Sequence, residues 1–356
     1  MLGKCLLACS LIFACAFALV AQTAAGPKPP FTTADLELGR KLIARSLEIQ
    51  NAPDRPITRF NPHEPFKILG NLYFVGVGNG EAFLLTSPEG HILFGAGYPG
   101  TPQLIEKNIE TLGFKLADIK AILVSYWHWD SAGGAAYFKR KTGAALMAGV
   151  ADIPFIERGG SVPPGVLIPN FNPAPRGEGR SERGNAQPRQ EGQRSQQPPP
   201  PGAGGFTGDN FDPVKVDRAL FDGETVKVGP LSVTAYNVPG HTPGGMAWVY
   251  TVREGNHNYK VFQQGPTFVE ATPTDLTRNP GYSEAGVRHS FATFRKLLPV
   301  DVYLASPAFG FWMEDRLAKL KAGDKLAFVD QSLFRAMVAA REVEFEEQFR
   351  KAKDIN

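Results

Sequence analysis

Cysteine is scarce in this chain. All 3 cysteines, Cys5, Cys9 and Cys15, lie close to the amino terminus. Beyond them there is no thiol to close a disulfide or to ligate a metal. Stability there must come from packing, and a metal would have to be held by histidine, carboxylate or another oxygen. Charge of one sign is also lacking: the net charge is only +3 over 356 residues, with no basic stripe interleaved with aromatics. That argues against a nucleic-acid partner. No apolar run is long enough to span a bilayer. The longest, Cys5 to Val20, is about sixteen residues, where a spanning helix needs roughly twenty.

That run has another use. Lys4 precedes it and the small residues Ala21 to Ala25 follow it, the pattern of a cleavable targeting segment over residues 1–25. The expectation is an exported protein, periplasmic or secreted. Leu6-Leu7-Ala8-Cys9 and Phe13-Ala14-Cys15 faintly resemble a lipid-attachment box, so lipoprotein anchoring is kept as a minor alternative. The chain as a whole is 43% hydrophobic and has 25 phenylalanines, most of them in the remainder, 26–356. That remainder reads as one domain with ample material for a layered core.

Periodicity and turn chemistry predict the elements in order. Thr32 to Gln50 reads as an amphipathic helix capped at Thr33 or Asp35. Strands are expected at Phe66 to Leu69, Leu72 to Gly76, Ala82 to Ser87 and His91 to Phe94. A helix at Thr101 to Leu112 leads to a strand ending in Ile122-Leu123-Val124, then a helix over Ala135 to Thr142, a strand at Ala145 to Ala148 and a helix at Val150 to Arg158. From about 163 to 208 the composition turns to Pro, Gly, Gln, Arg and Ser, including Pro198 to Pro201. Such a segment cannot bury enough apolar area to offset ordering, and reads as a disordered insertion. Beyond it come strands at Val214 to Leu220, Thr225 to Val228, Leu231 to Val238, Met246 to Val252 and Tyr259 to Gln263, with a hairpin turn at Glu254 to Asn258. Helices at Ser283 to Leu298 and Asp330 to Lys351 flank a last strand, Val302 to Ala305. Strands first and then βα units, twice over, imply a sandwich of two sheets with helices outside.

The chemistry concentrates in two loops. Tyr126-Trp127-His128-Trp129-Asp130-Ser131 follows a buried strand, and Gly240-His241-Thr242-Pro243-Gly244 follows another. The first stretch resembles the H-x-H-x-D-H motif of the metallo-β-lactamase superfamily, and the second its next ligand stretch, with His241 on the ligand position. Val302 to Phe311 resembles the last ligand stretch, and Asn71 to Gly97 the strands that end in an aspartate-bearing turn. The details are most similar to the subclass with a three-His and an Asp-His-His zinc site. The resemblance implies an α/β fold, a four-layer αββα sandwich, and hydrolysis of lactam, lactone, thioester or ester bonds by metal-activated water.

The same resemblance exposes what is missing. Its first zinc would fall to Tyr126, His128 and His241, its second to Asp130, Ser131 and Pro307, and its supporting turn aspartate to Gly95. Three of these six positions carry poor ligands or none. At most one zinc is expected, on His128, His241 and Asp130, with Asp130 and Tyr126 as the catalytic pair and Tyr126 as a hydrogen-bond donor. Asp130 also suits the cap of a helix from Ser131 onward. Trp127, Trp129, Ser131, Phe309 and Trp312, with Phe311, are expected to line a cleft for a small ring-bearing ligand. Two functions stay open at this point: a hydrolase with at most one metal, or a metal-free binding or scaffold relative. The other histidines are assigned to structure or surface: His63 in an exposed loop, His91 opening a strand, His257 in a hairpin turn and His289 mid-helix.

Overall fold

A computed structural model describes residues 31–52, 62–161, 210–266 and 283–354. The expected targeting segment at 1–25 and the expected insertion at 163–208 lie outside the described residues.

Twelve strands are described, in two sheets. The first takes β1 (Phe66–Leu69), β2 (Leu72–Phe74), β3 (Phe83–Leu85), β4 (His91–Phe94), β5 (Ile119–Val124), β6 (Ala145–Gly149) and β7 (Arg218–Leu220) side by side in chain order. Pairing is antiparallel from β1 to β4 and parallel from β4 to β7. The second sheet runs β12 (Val302–Ser306), β11 (His257–Pro266), β10 (Met246–Glu254), β9 (Leu231–Asn237) and β8 (Thr225–Val228), antiparallel except for the β11–β12 pair.

β5 shows why the layers form. Successive side chains of a strand point to opposite faces, and on β5 both faces are buried. Ala121 and Leu123 join the cluster between the sheets, while Ile122 and Val124 join a second cluster with Ile105, Ile109 and Phe138. Those last three belong to α2 (Pro102–Thr111) and α4 (Ala135–Thr142). Between the sheets, Phe94 of β4 stacks on Tyr250 of β10 at 5.1 Å between ring centres. On the outer face of the second sheet, Phe262 meets Phe334 at 4.2 Å and Phe294 at 5.7 Å, from α8 (Gln331–Asp354) and α6 (Glu284–Leu297). Each such sealed phenylalanine is worth about 1.5–3 kcal/mol. The αββα sandwich expected from the sequence is the architecture found.

Local differences have local causes. α1 (Thr33–Asn51) is capped by Thr32, one residue earlier than expected. The Thr32 Oγ accepts from the Asp35 N–H at 3.1 Å, and the Asp35 carboxylate accepts from the Thr32 N–H at 2.7 Å, so Asp35 closes a capping box from inside the first turn. Thr32→Ala should lower stability by about 1 kcal/mol, read as a melting point about 2–4 °C lower. The expected helix at Val150 to Arg158 is a 3-10 turn, Val150–Asp152, followed by the short α5 (Ile153–Ile156). A helix not expected from sequence, α7 (Met313–Lys321), starts from Trp312 in the left-handed region (φ 53°) with no capping side chain to announce it. His63 is not exposed: it sits among Phe66, Phe74 and the Glu314 carboxylate. His257 is the first residue of β11, paired with Glu254.

Candidate functional site

Both histidine loops leave the same end of the sandwich. β5 hands over to Ser125–His128 and then to a single turn, α3 (Trp129–Ala132), which begins after His128. Asp130 therefore stands inside that turn and does not cap it. β9 hands over to residues 238–245, a loop closed on itself by the Val238 N–H donating to the Gly245 carbonyl at 2.8 Å. The Met246 N–H donates to the Ser125 carbonyl at 2.8 Å, which ties the second sheet to the first loop.

The structure brings Tyr126, His128, Asp130 and His241 together. Nε2 of His241 and Nδ1 of His128 are 2.9 Å apart, one donating and one accepting. Burial, and then the neighbouring His241, hold the His128 imidazole well below its ordinary pKa, so it is neutral. The Tyr126 ring stands edge-on to both imidazoles, 5.5 and 5.3 Å away, and its hydroxyl donates to Oδ2 of Asp130 at 2.6 Å. Burial first, then the Asp130 and Glu81 carboxylates, push the phenol well above its usual range. In this pairing it serves as a hydrogen-bond donor to Asp130.

The other assignments diverge. Ser131 is fully buried and its hydroxyl donates to Oε2 of Glu81 at 2.7 Å, so it cannot line a cleft. Phe311 and Trp312 are sealed in the core between sheets and helices, and the Trp312 indole N–H donates to the Leu42 carbonyl at 3.0 Å. Half-buried Phe309 precedes them in a 3-10 turn of residues Ala308–Phe311. The cleft expected from five aromatics thus loses its second wall. Trp127 and Trp129 remain half-buried at the loop, Trp127 stacked on Phe155 at 4.8 Å and Trp129 tilted against Tyr98 at 4.5 Å. Pro307 follows β12 and offers no side-chain donor; Ser306 before it reaches Tyr126 instead.

Two carboxylates that sequence reasoning passed over hold this arrangement from beneath. Glu81, 1% exposed, accepts from Ser125 Oγ at 2.6 Å, Ser131 Oγ at 2.7 Å and Gln263 Nε2 at 3.3 Å. Ser125 in turn accepts from the Trp248 indole at 2.8 Å. Asp152, fully buried, accepts from the Trp127 N–H at 3.1 Å, the Thr242 hydroxyl at 2.6 Å and the Gly244 N–H at 2.7 Å. Burial pushes both carboxyls up to about 7, against the pull of these donors. The available signal was a lone acid in an apolar surrounding, Gly80-Glu81-Ala82-Phe83 and Val150-Ala151-Asp152-Ile153.

The donor set does not fit the two-zinc arrangement that the resemblance implies. A tetrahedral zinc needs at least three good protein ligands. Among the described residues no three His, Cys, Asp or Glu side chains are gathered as a metal-holding group. Tyr126 is a protonated donor, Ser131 is turned away to Glu81, and residue 307 is proline. The place of a side chain at 95 is also taken. Gly95 has φ +67°, and a Cβ there would lie 2.4 Å from the Glu81 carbonyl oxygen and 2.6 Å from its Cγ.

The comparisons agree with this fold. A family model described as the metallo-β-lactamase superfamily matches residues 75–254. A probable metallo-hydrolase of Burkholderia pseudomallei (strain 1710b) is 32% identical over 90 residues, which are 24% of this chain and 30% of that protein, so the chain matches under a third of that curated relative. The solved subclass B3 metallo-β-lactamase BJP-1 of Bradyrhizobium japonicum is 29% identical with a TM-score of 0.63, over 83% of this chain and 97% of that one. A Cronobacter sakazakii metallo-β-lactamase described by an HARLDQ motif is 28% identical with a TM-score of 0.65, over 82% and 96% of the two chains.

Proposed function

The chain belongs to the metallo-β-lactamase superfamily, and from that premise we propose that it is a metal-independent member: a small-molecule-binding relative of these hydrolases that does not hydrolyse β-lactams. One observation carries the reading. The side chains at the ligand positions are spent on one another and on buried carboxylates: His241 on His128, Tyr126 on Asp130, Ser131 on Glu81. A site so paired needs no cation to satisfy it. Trp127, Trp129, His128, Asp130 and His241 are all half-buried here. Two indoles beside two imidazoles and one carboxylate suit a ring-bearing ligand with hydrogen-bond donors.

A second reading is favoured by one distance. The facing nitrogens of His128 and His241 converge within 2.9 Å, and a single zinc would take both, with Asp130 as third ligand once it releases Tyr126. The HARLDQ motif of the Cronobacter relative has aspartate in its fifth place and no histidine in its sixth, as Asp130 and Ser131 do here.

The two readings separate on metal content after equilibration with micromolar zinc, together with turnover of a chromogenic cephalosporin. Well under one zinc per chain and no turnover is the expected result. One zinc per chain, lost in both His128→Ala and His241→Ala, would replace the first reading with the second. The place of action belongs to the proposal too: residues 1–25 support export to the periplasm or beyond, with lipid anchoring as the alternative. Among the described residues no helix is long and apolar enough to cross a membrane.

A further inference from the structure

We propose that Glu81 is the positioning residue of the site, closing the loop that carries Tyr126, His128 and Asp130 into a ring. Its carboxylate accepts from Ser125 and from Ser131, the two residues that bracket the five-residue stretch Tyr126 to Asp130. The Glu81 N–H donates to the Asp130 carbonyl at 3.0 Å, a third hold on the same loop. Through Gln263 of β11, and through Trp248 of β10 by way of Ser125, the same carboxylate also fastens the ring to the second sheet. Glu81 thus fixes the loop against both sheets while touching neither imidazole.

The assignment has a steric counterpart. Glu81 fits only because residue 95 has no side chain, since a Cβ at Gly95 would also lie 2.8 Å from the Glu81 Cβ. The inference holds whether or not the loop takes a metal, so it does not rest on the proposed function.

Length decides the test. Glu81→Gln keeps the reach and one acceptor, and a serine hydroxyl can rotate to accept from the new amide. Glu81→Asp keeps the charge but is one methylene short of holding both serines. With nitrogen-15 labelled histidine, the ring signals of His128 and His241 should stay near their places in Glu81→Gln. In Glu81→Asp, and in Glu81→Ala if it folds, they should move or broaden away. Phe349→Leu, a core change remote from the loop, should lower the melting point and leave them in place. Unmoved histidine signals in Glu81→Asp would overturn the proposal. Equal movement in Phe349→Leu would do so as well, because Glu81 would then be one structural residue among many.

Discussion

At pH 6, Asp152→Ala should cost the fold about 3 kcal/mol and part the two histidines. The carboxyl joins the Trp127 N–H, one residue before His128, to the Thr242 hydroxyl and the Gly244 N–H, which flank the stretch after His241. Three donors would be orphaned in a site that admits little water. A single buried, unsatisfied donor costs roughly 1–3 kcal/mol, and some relaxation offsets the sum. The strap leaves little room to relax, since a Cβ at Gly244 would lie 2.4 Å from the Asp152 nitrogen. The expected drop in melting point is about 6–12 °C, with loss of the His128–His241 hydrogen bond in histidine ring spectra. Asp152→Asn should fall in between, because its amide nitrogen faces donors. A melt within a degree of the parent would show that the staple is dispensable.

Stability should peak near pH 6 and fall by about 2 kcal/mol towards pH 8. The sign follows from proton counts. In the unfolded chain the Glu81 and Asp152 carboxyls ionise at about 4.5 and 3.8, whereas burial in the fold raises both to about 7. Above the unfolded values the folded state therefore binds more protons, and each group erodes stability by up to about 1.4 kcal/mol per pH unit until its folded pKa is passed. His128 and His91, both held below their ordinary value by burial, act in the opposite sense. The unfolded chain takes up their protons below about 6.5, so stability is lost as pH falls through that range. Chemical denaturation at intervals from pH 5 to 8 reads the curve. In Asp152→Ala the alkaline decline should shrink by about half. A flat profile between pH 6 and 8 would mean that the two carboxyls ionise as readily folded as unfolded.

Much of the architecture was legible because period and turn chemistry are local. The alternation of Ile122, Leu123 and Val124 marks a strand buried on both faces, and the proline and glycine clusters mark its neighbours. The histidine frame was legible through the family resemblance, which His128, Asp130 and His241 carry in short contiguous stretches. Partners distant in the chain were not. Nothing near Glu81 announces Ser125, Ser131 or Gln263, and nothing near Asp152 announces Thr242. Two wrong expectations share a cause. Whether Trp312 faces a cleft or the core turns on its φ of 53°, a conformation that its neighbours in sequence do not demand. His63 is hidden by Phe66, Phe74 and Glu314, from three separate elements.

The flanks of residues 162–209 are pinned to each other. The Phe211 N–H donates to the Gly159 carbonyl at 3.1 Å, and Ser161 Oγ lies 3.4 Å from Asn210 Oδ1. Departure and return therefore share one doorway, already bolted by the fold on either side. The entropy of closing a loop grows only with the logarithm of its length, so the sandwich is nearly indifferent to how much chain passes through.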